Sequence, residues 1–281
     1  MTLPDGLPWD SALVTGASSG IGEAVARLLG GHGVGHLVLV ARRADRLGRL
    51  AAELGRAHGT EVEVLAADLA DGSELARVEQ RLADSDRPVD LLVNNAGLGT
   101  SGAFATLPSD GEEHEILVNV VALVRLTRAV LPGQIDRERG AVLNVSSMAS
   151  YQPSPGNATY GASKAFVTSF SEAVHEEVRG SGVTVTALCP GYTRTEFQGA
   201  TGGSQDRVPG FAWTSAESVA EAGLAGAAAG RALVVPGLGY KLIAGVTTPL
   251  PRSAKRWIMG RAAGTLSDRG RLSGVNRTRW R

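Results

Sequence analysis

The chain has 281 residues, 43% hydrophobic and 20% charged, with 28 basic residues balanced by 28 acidic ones. This is an ordinary globular composition, long enough to bury a large core. The only cysteine, Cys189, excludes an internal disulfide or a cysteine metal cluster, and no histidines pair at metal-ligand spacing, so no metal is expected. Met1 to Asp10 shows neither a basic segment nor an apolar run, and no stretch of about 18 apolar residues stands out, so a secretory leader and a membrane span are not expected. A lone thiol suits a reducing compartment, and cytoplasmic residence is the expectation. Charge is unevenly placed: from Lys241 onward ten basic residues face one acid, Asp268, leaving the remainder with 18 basic and 27 acidic residues.

Strand-like and helix-like segments alternate from the start. Short apolar strands are predicted at Ser11 to Thr15, His36 to Ala41, Glu61 to Ala67, Val89 to Val93, Ala141 to Val145, Val183 to Leu188 and Ala232 to Val235. Helices are predicted at Gly20 to Leu29, Ala44 to His58, Ser73 to Ala83, Glu112 to Val130, Tyr160 to Arg179 and Ala216 to Ala229. Alternation of this kind makes βαβ units, and strands apolar at every position, such as Leu37 to Val40, are those of a parallel sheet covered on both faces. The fold class is therefore α/β, one domain with a doubly wound parallel sheet of about seven strands, spanning residues 1–249. The aperiodic, glycine-rich segment Thr193 to Thr214 reads as a mobile loop over a site. Residues 250–281 form a basic extension. Leu250 to Ala263 could make a helix lying on an anionic membrane surface or an acidic carrier protein; the plainer reading, a solvated and partly disordered extension, is preferred.

The first strand-to-helix turn reads Thr15-Gly16-Ala17-Ser18-Ser19-Gly20-Ile21-Gly22. Glycines let the backbone turn sharply and approach a pyrophosphate, which the following helix receives on its free amides. The second strand ends in Ala41-Arg42-Arg43, where an NAD site would carry an acid for the ribose 2′-hydroxyl. A guanidinium here suits the 2′-phosphate of NADP(H) instead, with Arg42 the first choice, Arg43 the second, and Ser18 or Ser19 adding a hydroxyl. Tyr160 and Lys164, four apart, share one helix face. An ammonium beside the phenol is expected to lower its pKa towards the range of a working acid or base. Ser147, just past the fifth strand, can donate a hydrogen bond to a substrate oxygen.

In this order, TGASSGIG at Thr15 to Gly22, Asp68, Asn94-Asn95-Ala96-Gly97, Asn119, Ser147, Tyr160-x-x-x-Lys164 and Pro190-Gly191 resemble the short-chain dehydrogenase/reductase family across about residues 9 to 240. The nearest likeness is to NADP-dependent members whose second strand ends in VARR. The resemblance implies a Rossmann-fold oxidoreductase moving a hydride between NADP(H) and a carbonyl or alcohol. Tyr160 would exchange the proton with the substrate oxygen, and Lys164 would hold the nicotinamide ribose and tune Tyr160. Ser147 would polarise the carbonyl, and Asn119 would support a proton-relaying water chain. Gly16, Ser18, Ser19, Gly20, Ile21 and Gly22 would cradle the phosphates, and Asp68 and Leu69 would meet the adenine. Asn94, Asn95, Ala96 and Gly97 would line the cofactor, and Pro190, Gly191, Thr193 and Thr195 would close over the nicotinamide. Thr193 stands where an aliphatic residue is usual. A homodimer or homotetramer through the long helices is implied in the same way.

Leu98, Phe104, Tyr192, Phe197, Phe211 and Trp213 are candidates for an apolar pocket, so the substrate expected is a hydrophobic ketone or secondary alcohol. No nucleic-acid partner is expected. Two other readings compete. Gly16 to Gly20 also fits the G-x-S-x-G of serine hydrolases, but it lies on the first strand and only His175, mid-helix among charges, could serve it. A nucleotide-sensing protein without turnover would share the fold; the intact Asn119, Ser147, Tyr160 and Lys164 set argues for an enzyme.

Overall fold

The computed structural model describes Leu3, residues 6–197 and residues 210–269, with backbone only for 211 and 262–269. The strands are β1 (Ser11–Thr15), β2 (His36–Ala41), β3 (Glu61–Ala66), β4 (Leu91–Asn94), β5 (Gly140–Val145), β6 (Val183–Leu188), β7 (Thr193–Arg194), β8 (Thr214–Ser215) and β9 (Leu233–Val234). The helices are α1 (Gly20–Gly31), α2 (Ala44–His58), α3 (Gly72–Leu82), α4 (Ser109–Ile116), α5 (Leu123–Asp136), α6 (Ala158–Glu177), α7 (Ala216–Ala228), α8 (Leu238–Thr247) and α9 (Arg252–Arg269).

Seven strands form one parallel sheet in the order β3-β2-β1-β4-β5-β6-β9. Side chains alternate across a strand, and the core splits accordingly. Val14, Leu37 and Leu39 pack with α1, α2 and α7 through Val25, Leu29, Leu47 and Leu224. Leu13, Val38 and Val40 face the other way, onto α3, α5 and α6 through Val78, Leu126, Val130 and Val174. Leu37 to Val40 are fully buried on both faces, which is why that strand reads as an unbroken apolar run. Each such side chain contributes about 1.5–3 kcal/mol of burial.

Strand order reverses at β1, whose neighbours are β2 and β4. At such a switch point the loops after adjacent strands part and leave a crevice at their carboxyl ends. That edge carries the glycine turn after β1, Asn95 to Gly97 after β4, Ser147 after β5 and Pro190-Gly191 after β6.

Three elements differ from the sequence-based expectation. The long helix runs from Ser109 to Asp136, past Pro132, and is interrupted by a π-helical turn at Leu117–Ala122. Its best 18-residue stretch has a mean hydropathy of 1.6, long and apolar enough to span a membrane. Ala122, Leu126 and Val130 pack in the core, however, so the run reads as a core helix. Helix α8 was not predicted. The basic extension, expected to be solvated and partly disordered, is helical from Arg252 to Arg269. Lys255 anchors it, its Nζ donating to the carbonyls of Tyr151 at 3.2 Å and Thr248 at 3.4 Å.

Candidate active site

The glycine turn is built for close approach. Gly16 and Gly20 have φ of +65° and +59°, a left-handed conformation that only glycine adopts without cost. A Cβ on Gly16 would lie 2.7 Å from Asn95 Nδ2, and one on Gly20 would lie 2.9 Å from Thr195 Cγ2. At Gly22 it would strike Asn95 Nδ2 and the Gly16 carbonyl. Thr15 and Asn95 hold the turn: Asn95 Nδ2 donates to Thr15 O at 2.9 Å, and Thr15 Oγ1 accepts from the amides of Asn95 and Ala96, both at 3.0 Å. Ser19 caps α1 without a side-chain hydrogen bond, so the amides of the first turn face the crevice as an anion site. Ile21 packs against the core below.

The two arginines divide. Arg43, the residue that caps α2, donates to Ser18 Oγ at 3.0 Å and Ser19 Oγ at 2.8 Å. It also pairs with Glu196 at 2.9 Å, and Arg46 joins the same carboxylate at 2.7 Å. Arg42 points to Asp68, 3.9 Å away. Arg43, rather than the first choice Arg42, is thus the guanidinium held at the glycine turn. Leu69 is buried in the core layer, and Asp68 accepts from the Ala70 amide at 3.0 Å. Asn94 is buried too, bonded to Thr127 and Asn144, which continues to Ser171; it ties β4 to its neighbours rather than lining the crevice.

The chemistry-bearing set converges at the ends of β4 and β5. The Ser147 hydroxyl accepts from the Ala149 amide at 3.1 Å and acts on the Tyr160 phenol in favour of its phenolate. Lys164 Nζ donates to Val145 O at 2.8 Å and lies 5.8 Å from the centre of the Tyr160 ring. A Cβ on Gly97 would sit 3.2 Å from Asn119 Oδ1 and 3.4 Å from Lys164 Nζ, which places the three groups side by side. Asn119 lies in the π-helical turn, a local distortion frequent at functional sites. Its amide is engaged at both ends, with the Leu98 backbone at 2.9 Å twice and with Ser163 Oγ at 3.1 Å.

The expected lowering of the tyrosine pKa is not what this environment produces. Burial pushes Tyr160 up to about 12, and the bond from Ser147 offsets only part of this, while the charge of Glu115 adds to it. Burial likewise drives Lys164 down to about 8. Removing both groups from water favours their neutral forms, and the sequence pattern does not show that removal.

Residues that sequence reasoning missed complete the site. Glu115, fully buried, lies one turn before Asn119. Its Oε2 accepts from Thr100 N and Oγ1, both at 2.8 Å, and burial pushes its carboxyl up. Asn157 Nδ2 donates to Thr100 O at 2.7 Å. Asn119, Glu115 and Asn157 therefore clamp the Leu98 to Thr100 wall. An acid spaced i, i−4 from the asparagine was the available signal. Tyr240 of α8 lies against Gly191; its hydroxyl donates to Ala212 O at 2.5 Å and accepts from Tyr192 N at 3.0 Å. It pins both ends of the segment predicted to cover the site. Thr193 is buried, bonded to Gly191 O at 3.1 Å, and pairs with Thr214. The amide of Met148 donates to Pro190 O at 2.9 Å, tying the closing segment to the loop after Ser147.

Of the pocket candidates, Phe197 stacks at a tilt on Tyr160 with ring centres 5.7 Å apart. Tyr192 and Trp213 make a separate pair at 5.7 Å. Phe104 is exposed, and the side chain of Phe211 lies outside the described residues. Ser18, the nucleophile that a hydrolase would need, is bonded to Arg43. His175 bonds instead to Val185 O at 2.8 Å.

Comparisons with known proteins agree with this geometry. Residues 10–205 match the short chain dehydrogenase family. Serine 3-dehydrogenase of Agrobacterium fabrum is 39% identical over 198 residues, 69% of this chain and 76% of that protein. A short-chain dehydrogenase from Sphingobium yanoikuyae, solved in complex with NADPH, is 36% identical with a TM-score of 0.77, covering 95% of this chain and 99% of that one. The bulky-bulky ketone specific alcohol dehydrogenase from Comamonas testosteroni is 29% identical with a TM-score of 0.72, covering 95% and 96%. The chain belongs to the short-chain dehydrogenase family and is an oxidoreductase of that family.

Proposed function

We propose that this protein is an NADPH-dependent reductase of hydrophobic ketones, with Tyr160 as the proton donor. The observation that carries the reading is the convergence of Ser147, Tyr160, Lys164 and Asn119 beside Gly97, at the end of the sheet where the glycine turn lies.

The residues fit the dinucleotide. The turn at Gly16, Gly20 and Gly22 packs so closely on Asn95 and Thr195 that side chains do not fit there, the bare turn that a pyrophosphate can approach, and Arg43 with Ser18 and Ser19 supplies a charged, hydroxyl-lined corner beside it. Ser18, Ser19, Arg43 and Gly97 would hold the cofactor, which when bound supplies the hydride. Arg43 can present two N–H groups to a phosphate; Arg42, beside Asp68, is the lesser contributor. The NADPH complex of the Sphingobium relative supports this choice of cofactor.

For the chain's own groups, a phenol held near 12 is fully protonated at neutral pH. It is thus poised to give its proton to a carbonyl oxygen, with Ser147 donating a second hydrogen bond to the same oxygen. Lys164 then stands by Tyr160 as a cation at neutral pH and stabilises the phenolate as the proton leaves. Its charge falls away above about pH 8. A protonated phenol serves the reductive direction, since oxidation needs the phenolate at the outset.

The substrate class rests on Phe197 at the Tyr160 ring and on the Tyr192 and Trp213 pair, all apolar and aromatic. The name of the Comamonas relative, which refers to bulky ketones, points the same way. Titration of the purified protein with NADPH and NADH by fluorescence tests the cofactor half. Preference for NADPH, diminished by Arg43→Ala, is expected; equal affinity for the two dinucleotides would remove the 2′-phosphate site.

A further inference from the structure

Helix α8 carries its apolar side chains on the wrong side for a core helix. Leu238, Leu242 and Val246, spaced four apart on one stripe, are 80%, 71% and 66% exposed. The opposite side carries Ala244, which is buried, and Tyr240, whose ring rests on Gly191. Beyond Pro249 and Pro251 the chain continues into α9, which adds Trp257 at 61% exposure. An exposed apolar stripe of this kind on one helix marks a contact site.

The charges around it choose the partner. Between Lys241 and Arg261 there is no acidic residue, while Lys241, Arg252 and Arg256 are exposed. A second copy of the chain meeting this surface about a twofold axis would set these cations against themselves. An anionic bilayer answers both features, because the Leu and Trp side chains enter the headgroup boundary and the cations meet lipid phosphates.

We propose that the C-terminal segment formed by α8 and the start of α9 docks this protein on an anionic lipid bilayer surface. Through Tyr240 on Gly191 and Lys255 on Tyr151, this segment rests directly on the segments that border the active site. Docking therefore brings the active-site body to the bilayer, where, on the function proposed above, its apolar ketone substrates concentrate.

Co-sedimentation of the full chain with vesicles tests this. Pelleting is expected with phosphatidylcholine vesicles containing phosphatidylglycerol and not with phosphatidylcholine alone, and it should weaken at high salt. Leu242→Glu together with Val246→Glu, and separately Arg252→Glu with Arg256→Glu, should each cut the bound fraction by roughly tenfold. Both double variants should keep the lipid-free reductase rate and the melting temperature of the parent. Absence of pelleting with either vesicle, or equal pelleting with both, would overturn the proposal. So would light scattering that shows a dimer in the parent and a monomer in the Leu242→Glu, Val246→Glu variant, which would assign the stripe to a second copy.

Discussion

Leu39 in β2 and Leu242 in α8 are the same amino acid put to opposite uses. Leu39 is fully buried, enclosed between helices on one face of the sheet, whereas Leu242 is 71% exposed. The body around Leu39 is held by parallel pairing and two packed helical layers. The segment around Leu242 meets the body through Tyr240, Lys255 and the buried Ala244, which packs with Cys189 and Val235. The difference teaches that apolar character alone does not say whether a residue builds the fold or faces a partner; the neighbours that the topology supplies decide it.

The largest effect is expected where burial and chemistry coincide. Lys164→Met should lower ketone reduction by about 10²- to 10⁴-fold, yet leave the melting temperature equal or higher. The folded pKa of Lys164, about 8, lies below its ordinary 10.5. The buried ammonium therefore costs stability at neutral pH, on the order of 3 kcal/mol before its bond to Val145 is counted. For the same reason the native state binds fewer protons than the unfolded chain between about pH 8 and 10.5, so this group's contribution to stability should rise across that window. A variant that is both inactive and markedly less stable would show that Lys164 is structural first.

Next come the two leucines themselves. Leu39→Ala should cost about 2–5 kcal/mol in denaturant unfolding, and Leu242→Ala should stay within about 0.5 kcal/mol of the parent. Comparable losses at both positions would erase the distinction between the body and the C-terminal segment.

A smaller effect sharpens the cofactor end. Arg43→Ala should weaken NADPH binding by about tenfold to a hundredfold and leave NADH nearly untouched, with Arg42→Ala milder, as measured by fluorescence titration. The reverse ranking would return the 2′-phosphate contact to Arg42.

The smallest effect concerns Glu115, whose charge holds both Tyr160 and Lys164 above where burial alone would leave them. Glu115→Gln keeps an acceptor for Thr100 but removes that charge. The alkaline fall in the reduction rate should then begin at lower pH, with the neutral-pH rate little changed. An unshifted pH profile would mean that Glu115 is already neutral in the working enzyme.

The body of the fold was legible because each signal was local and mutually consistent. His36 to Ala41 and Val183 to Leu188 are strands to the residue, as their unbroken apolar and β-branched runs imply. The glycine turn and the Tyr160, Lys164 pair were legible as well, since spacing on a helix or turn fixes what shares a face. What was hidden depends on tertiary surroundings. Arg42 and Arg43 are adjacent in sequence, and only the start of α2 decides which one swings to the serines. The long helix, expected to end at Val130, runs on past Pro132, since a helix can carry a proline where its ring is accommodated. Helix α8 is preceded by Gly237, which has no side chain to cap it, and contains Gly239 and Gly245, so neither start signal nor propensity announced it.

The central claim is that Tyr160 delivers the proton as NADPH reduces a hydrophobic ketone. The most direct measurement is single-turnover NADPH consumption, followed by its near-ultraviolet absorbance, with a bulky aryl ketone on the parent and on Tyr160→Phe. The account predicts turnover by the parent, and in the variant a loss of about 10²-fold or more with NADPH affinity retained. Equal rates in the two proteins, with NADPH bound by both, would contradict it.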